Sequence, residues 1–141
     1  MKRDEILERL KKSSVISIHE TDTAPLYEAM LENGDILNIY IFEESMMFFM
    51  HVENLGDAGY DNPEMFVGLL SANNLGGRLF NQRVTYDPED NDVSICHDVF
   101  FENVDNPDEV DEELKTFIEN ERLFASIIRE KVLTPCMEKI E

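Results

Sequence analysis

The sequence is short of positive charge, of cysteine and of long apolar runs, and each shortage removes a class of protein. Lysine and arginine total 12 against 31 aspartates and glutamates, a net charge of −19 at pH 7. Duplex nucleic acid calls for a basic footprint, and an anionic membrane surface repels so acidic a chain, so neither is expected as a partner. The two cysteines, Cys96 and Cys136, form no C-x-x-C pair and no disulfide framework, which fits a reducing compartment. No run approaches the ~20 apolar residues of a transmembrane helix. The first residues, MKRDEILERLKKSS, scatter charges where a signal peptide would be uninterruptedly apolar. A cytoplasmic location is expected.

Enzymatic signatures are also missing. There is no G-x-x-x-x-G-K-[ST], no G-x-G-x-x-G and no G-x-S-x-G. Of His19, His51 and His97, the last two read as half-buried, hydrogen-bonded strand histidines rather than ligands. Cys96 and His97 are adjacent on a strand, where neighbours point to opposite faces, so a nucleophilic pair is not expected of them. Cys96 reads as a small packed hydrophobe. The acidic tip Asp87–Asp92 invites comparison with a calcium loop. An EF-hand needs glycine at its sixth position and glutamate at its twelfth, and counting from Asp87 those are Asp92 and Asp98. A solvated hairpin turn is the simpler reading. No catalytic residue, cofactor or metal site is expected.

What is present is enough for a core. The chain has 141 residues, 43% of them hydrophobic, and nine phenylalanines, which fits a single domain over 1–141. Ile6, Leu7 and Leu10 recur at helical spacing among Lys2, Arg3, Arg9, Lys11 and Lys12, predicting a short N-terminal helix with a basic face. Val15–His19 can add a short extended piece. Leu26–Leu31, Ile36–Phe42 and Met46–Val52 then read as a three-stranded meander, with Asn33-Gly34 at the first turn because both tolerate positive φ. Glu53–Asn62 is loop by composition. Asn62-Pro63 opens a helix to about Leu75, stopped by Gly76-Gly77. A second hairpin follows, its strands marked by Phe80, Val84 and Tyr86 and by Val93, Ile95, Val99 and Phe101. Asn106-Pro107 opens a last helix carrying Val110, Leu114, Phe117, Ile118, Phe124, Ile127 and Ile128 to about Val132, where Pro135 breaks or kinks it. The order α-β-β-β-α-β-β-α, strands in runs between helices, indicates an α+β fold with an antiparallel sheet.

Two features point toward binding. Both faces of Ile36–Phe42 and Met46–Val52 are largely apolar, so both sides of the sheet should be covered, by helices of the chain, a second subunit or a ligand protein. Met-rich surfaces also adapt to varied peptides, which makes Phe48, Phe49 and Met50 the expected apolar contacts. Charge is segregated as well. No Lys or Arg lies between Arg83 and Lys115, a gap that holds twelve acids. Asp108, Asp111 and Glu112, at the positive end of a helix dipole, are the expected contacts for a basic partner. An acidic inhibitor of a basic toxin or enzyme, an immunity protein or an antitoxin, fits the same charge.

The stretch SANNLGGRLFNQRVTYDPEDNDVSICHDVFF, followed by NPDEVDEELKTFIEN, resembles the class I type III secretion chaperones (Tir-chaperone-like) and equally the YbjN-like proteins. Ser71–Gly77, Phe80–Phe101 and Pro107–Val132 would be the helix end, hairpin and last helix of that pattern. The resemblance covers most of the chain and implies a non-enzymatic homodimer that holds an extended or basic segment of another protein. Its first helix departs from the pattern, being short and basic where many of those chaperones have a Leu-rich one.

Overall fold

The asparagine-proline pairs start helices because the asparagine oxygen caps amides that the helix leaves unpaired. Asn62 Oδ1 accepts from Met65 N at 3.2 Å, and Pro63 begins helix α2 (Pro63–Leu79). Asn106 Oδ1 accepts from Asp108 N at 2.9 Å, where α3 (Asp108–Ile128) begins. The N-terminal helix α1 (Lys2–Lys11) buries Ile6, Leu7 and Leu10, as its spacing predicts. The computed structural model of the protein describes residues 2–56 and 62–138; the middle of the Glu53–Asn62 loop lies outside the described residues.

Six strands form an antiparallel sheet: β1 (Ile16–Glu20), β2 (Leu26–Leu31), β3 (Ile36–Ile41), β4 (Ser45–Asn54), β5 (Arg83–Asp87) and β6 (Asp92–Phe100). Their spatial order is β1-β2-β3-β4-β6-β5. The class is α+β as expected, and the extended piece near Val15–His19 is a full strand, β1, paired along β2 from Ile16↔Leu31 to Glu20↔Tyr27. At the first hairpin only Gly34 takes positive φ (91°), with Gly34 N donating to Leu31 O at 3.0 Å.

The chain divides into two compact units, Met1–Met50 with His97–Ile118, and His51–Cys96 with Glu119–Glu141. In the first unit the sheet has one closed face. Ala29, Leu37, Ile39, Ile41, Met46 and Phe48 lie there, all essentially without exposure. Phe48 packs on Phe117 of α3 with ring centroids 5.6 Å apart, and His97 stacks on Phe117 at 6.4 Å. Each such large side chain contributes about 1.5–3 kcal/mol by leaving water.

In the second unit α2 does not stop at Gly76-Gly77. It runs to Leu79, and Phe80, placed on a strand by sequence, is its C-cap. Phe80 N and Gln82 N both donate to Gly76 O, at 2.9 and 3.2 Å, while Asn81 takes the left-handed conformation (φ 54°) that closes a helix end. Gly76 serves packing instead of termination: a Cβ there would lie 2.3 Å from the Phe124 ring. Phe101, assigned to the return strand by sequence, belongs to a 3-10 turn, Phe101–Asn103, in the first unit.

Pro135 does not break the last helix. A π-helical turn, Arg129–Leu133, is followed by a short helix α4 (Thr134–Glu138). Thr134 N donates to Arg129 O, five residues back, and this wider turn leads directly into the proline that cannot donate.

Candidate functional site

The register decides which side chains of the meander share a face. Opposed residues in an antiparallel pair lie on one side of the sheet. Met30↔Ile36, Leu26↔Tyr40, Tyr40↔Met47 and Asn38↔Phe49 therefore define the face opposite the closed one. This second face is open. Met30 and Ile36 are each 51% exposed and Phe42 45%, while Tyr40, Met47 and Phe49 are half-buried. Phe49 meets Tyr40 edge-on at 6.2 Å, and Tyr40 stacks with Phe42 at 6.5 Å. In the first unit the chain's own helices cover one of the two apolar faces, and the other carries an apolar, aromatic surface for which a second subunit or a ligand protein is the cover left among those expected.

Of the three apolar contacts expected from sequence, the structure brings only Phe49 to that surface. Phe48 is 0% exposed and Met50 is buried, both on the closed side. Alternation along β4 forces this split, since neighbours on a strand cannot share a face. Tyr40, Phe42, Met30 and Ile36 join the site without having been singled out, although their even spacing along each strand carried the signal.

The three acids of α3 separate in the same way. Asp108 and Glu112 are exposed, while Asp111 is only 2% exposed. Asp111 accepts from Ser13 Oγ at 2.7 Å and lies 3.2 Å from Arg9 Nη2 and 3.0 Å from Lys115 Nζ. Burial works to raise its pKa. The Ser13 hydroxyl, the Lys115 ammonium and the Arg9 guanidinium outweigh burial, so the carboxyl titrates below the ordinary aspartate range. Asp108 meets Arg9 Nε at 2.7 Å. This pairing ties α1 to α3, and Lys2 adds to it by donating to Phe101 O and Val104 O at 3.0 and 2.7 Å. The basic face of α1 is thus spent partly within the chain.

The Asp87–Asp92 tip is built around Asn91, which sequence reading passed over. Asn91 is buried with φ 56°; its Nδ2 donates to Gly56 O at 2.7 Å, its Oδ1 accepts from the Tyr86 hydroxyl, and its main-chain O accepts from Leu55 N at 2.8 Å. Asn54 Nδ2 donates to Asp90 O and Asp92 Oδ1. Among the described residues no group of His, Cys, Asp and Glu has metal-site geometry. His97 Nε2 stands 3.9 Å from Glu113, His51 lies 3.8 Å from Asp92, and Cys96 and Cys136 are buried and not joined in a disulfide. Among the described residues no helix is long and apolar enough to cross a membrane.

In the second unit α2 carries exposed apolar side chains: Val67 and Leu70, one turn apart on its outer side, are 62% and 71% exposed, and Leu75 and Leu79 follow toward its end. Its inner side buries Met65, Leu69, Ala72 and Gly76.

Comparison with solved structures places this architecture. A chain of the ExsC–ExsE complex superposes with a TM-score of 0.63 at 12% identity, over 90% of this chain and 93% of that one. The HopA1–SchA chaperone–effector complex gives 0.59 at 13% identity, over 87% and 89%. A protein of Methanothermobacter thermautotrophicus gives 0.60 at 11% identity, over 94% and 99%. The chain thus has an α+β fold with an antiparallel sheet that is similar to the folds found in these complexes. No family model and no curated protein matches the sequence.

Proposed function

We propose that the chain is a non-enzymatic protein-binding module of the secretion-chaperone or YbjN-like kind. It works in the cytoplasm as a homodimer and holds an extended segment of another protein against the open face of β2–β4. The observation that carries this reading is the open face itself. A sheet face bearing Met30, Ile36, Tyr40, Phe42 and Phe49 is costly to leave in water and suits a segment with alternating apolar side chains. The fold shared with a chaperone–effector complex supports it. The exposed Val67 and Leu70 on the outer side of α2 support a second copy as their cover, since two identical helix faces meet across a two-fold axis.

The acidic-inhibitor alternative rests on the net charge of −19 and on the use of charge pairs in interfaces of that type. Of the three α3 acids expected as contacts, Asp111 is held by Arg9 and Lys115, Asp108 meets Arg9 at 2.7 Å and Glu112 lies 3.9 Å from Lys115, so all three already face cations of the chain.

A fluorescent peptide of alternating leucine and serine tests the docking reading. Binding to the wild-type chain should weaken about tenfold in Phe49→Ser, the loss expected of a central aromatic anchor. Equal binding by both proteins removes the open face as the site. Light scattering tests the dimer: about twice the 16.4 kDa chain mass is expected, falling to one chain in Leu70→Glu. A wild-type monomer refutes it.

A further inference from the structure

The chemistry of the segment can be narrowed, on the basis of the docking reading just given. The ring sequence Phe49–Tyr40–Phe42 crosses the open face toward one end of the first unit, where β3 turns into β4. Two grooves flank that turn, of about 560 and 460 Å3. Pro25, Leu26 and Phe42 line the first; Phe100, which is 53% exposed, lines the second. Both include Arg3 and Glu43. The first groove shares Leu26 and Phe42 with the aromatic face and so continues it.

The charge at these grooves has one dominant sign. Glu20 and Glu43 border the first groove, and Glu43, Glu44 and Glu102 the second. None of these four carboxylates has an ion-pair partner among the described residues. The two cations present are engaged: Lys2 donates to two main-chain carbonyls, and Arg3 lies 3.3 Å from Asp4. An apolar chain arriving along the rings therefore meets unpaired negative charge where the rings end. Charge complementarity there sets orientation and partner choice.

We propose that the segment this surface takes is an extended one whose alternating apolar side chains are followed directly by lysine or arginine. The apolar side chains lie on Phe49, Tyr40 and Phe42, and the basic ones reach Glu43, Glu44 and Glu102. The order of the two features fixes the direction in which the segment lies.

Two labelled peptides test this: alternating leucine and serine alone, and the same sequence ending in Lys-Lys-Arg. Anisotropy titrations use the wild-type chain and the Glu43→Gln/Glu44→Gln/Glu102→Gln variant, at low and high salt. The basic-ended peptide should bind the wild type about tenfold more tightly than the plain one, as expected of three exposed charge pairs together. That advantage should vanish in the variant and at high salt, while the plain peptide binds both proteins alike. Equal affinity of the two peptides for the wild type, or an advantage that survives in the variant, overturns the inference and leaves the docking reading standing. Failure of both peptides to bind overturns the docking reading and the inference with it.

Discussion

Asp111 on α3 receives the Ser13 hydroxyl at 2.7 Å while Arg9 and Lys115 close on its other oxygen at 3.2 and 3.0 Å. A carboxylate this buried is tolerated because both of its oxygens meet donors, and charged donors make the stronger bonds. The group is therefore part of what holds α1 to α3.

Asp111→Asn should lower stability by about 1–3 kcal/mol at neutral pH, the cost of disturbing a buried charged network. The pH dependence has a defined sign. A folded-state pKa below the unfolded value, about 3.9, gives stability that is present above that value and lost as pH falls through the lower folded one. Urea titrations at pH 7 and at pH 3 should show the difference between wild type and variant shrinking at the acidic end. A gap of constant size would rule out the carboxylate charge as its source.

Phe48 and Phe49 should part company although they are neighbours. Phe48→Ala empties a fully buried site against Phe117 and should cost about 3–5 kcal/mol. Phe49→Ser lies on the open face and should cost about 1 kcal/mol or less, because surface changes rarely do more. Denaturant midpoints at constant slope decide it, and equal losses would mean that the open face is covered in solution.

Gly76 and Gly77 give a second matched pair. Alanine at Gly76 would drive its Cβ to 2.3 Å from the Phe124 ring and 2.9 Å from Gln82 O, where main chain cannot easily retreat. A loss of about 1–3 kcal/mol is expected. Alanine at Gly77 meets nothing within 4 Å inside a helix, so a gain of about 0.5–1 kcal/mol should appear. Thermal melts that shift in opposite directions would establish the difference.

We propose that the chain unfolds as one domain despite its two units. Strands β4 and β6 and helix α3 each pass from one unit into the other, so neither unit can lose those elements alone. Calorimetric and van't Hoff enthalpies should agree in a single transition. Two resolved transitions would mark the units as independent.

Much of this architecture was legible because it depends on neighbours in sequence. Asn62-Pro63 and Asn106-Pro107 mark helix starts through capping chemistry confined to a few residues, and both caps form as read. The apolar spacing of Ile6, Leu7 and Leu10, and of Val110, Leu114, Phe117, Phe124 and Ile128, exposes the buried sides of α1 and α3 directly. Gly76 misled for an instructive reason. The same residue type ends helices and permits close approach, and the approaching ring, Phe124, is 48 positions away. Asn91 was hidden likewise, since its role rests on Gly56, 35 residues distant.

By itself the sequence determined the class of fold, the strand and helix spans to within a few residues, and the strong acidity that disfavours nucleic acid and anionic membranes. It also showed that β3 and β4 carry apolar side chains on both sides. Only the tertiary structure decided which side α3 covers, leaving Phe48 and Met50 inside and Phe49 outside, and which acid of the α3 start is consumed by Arg9 and Lys115. Local patterns follow from bonds and periods along the chain, whereas a choice between two similar apolar faces depends on where distant elements pack.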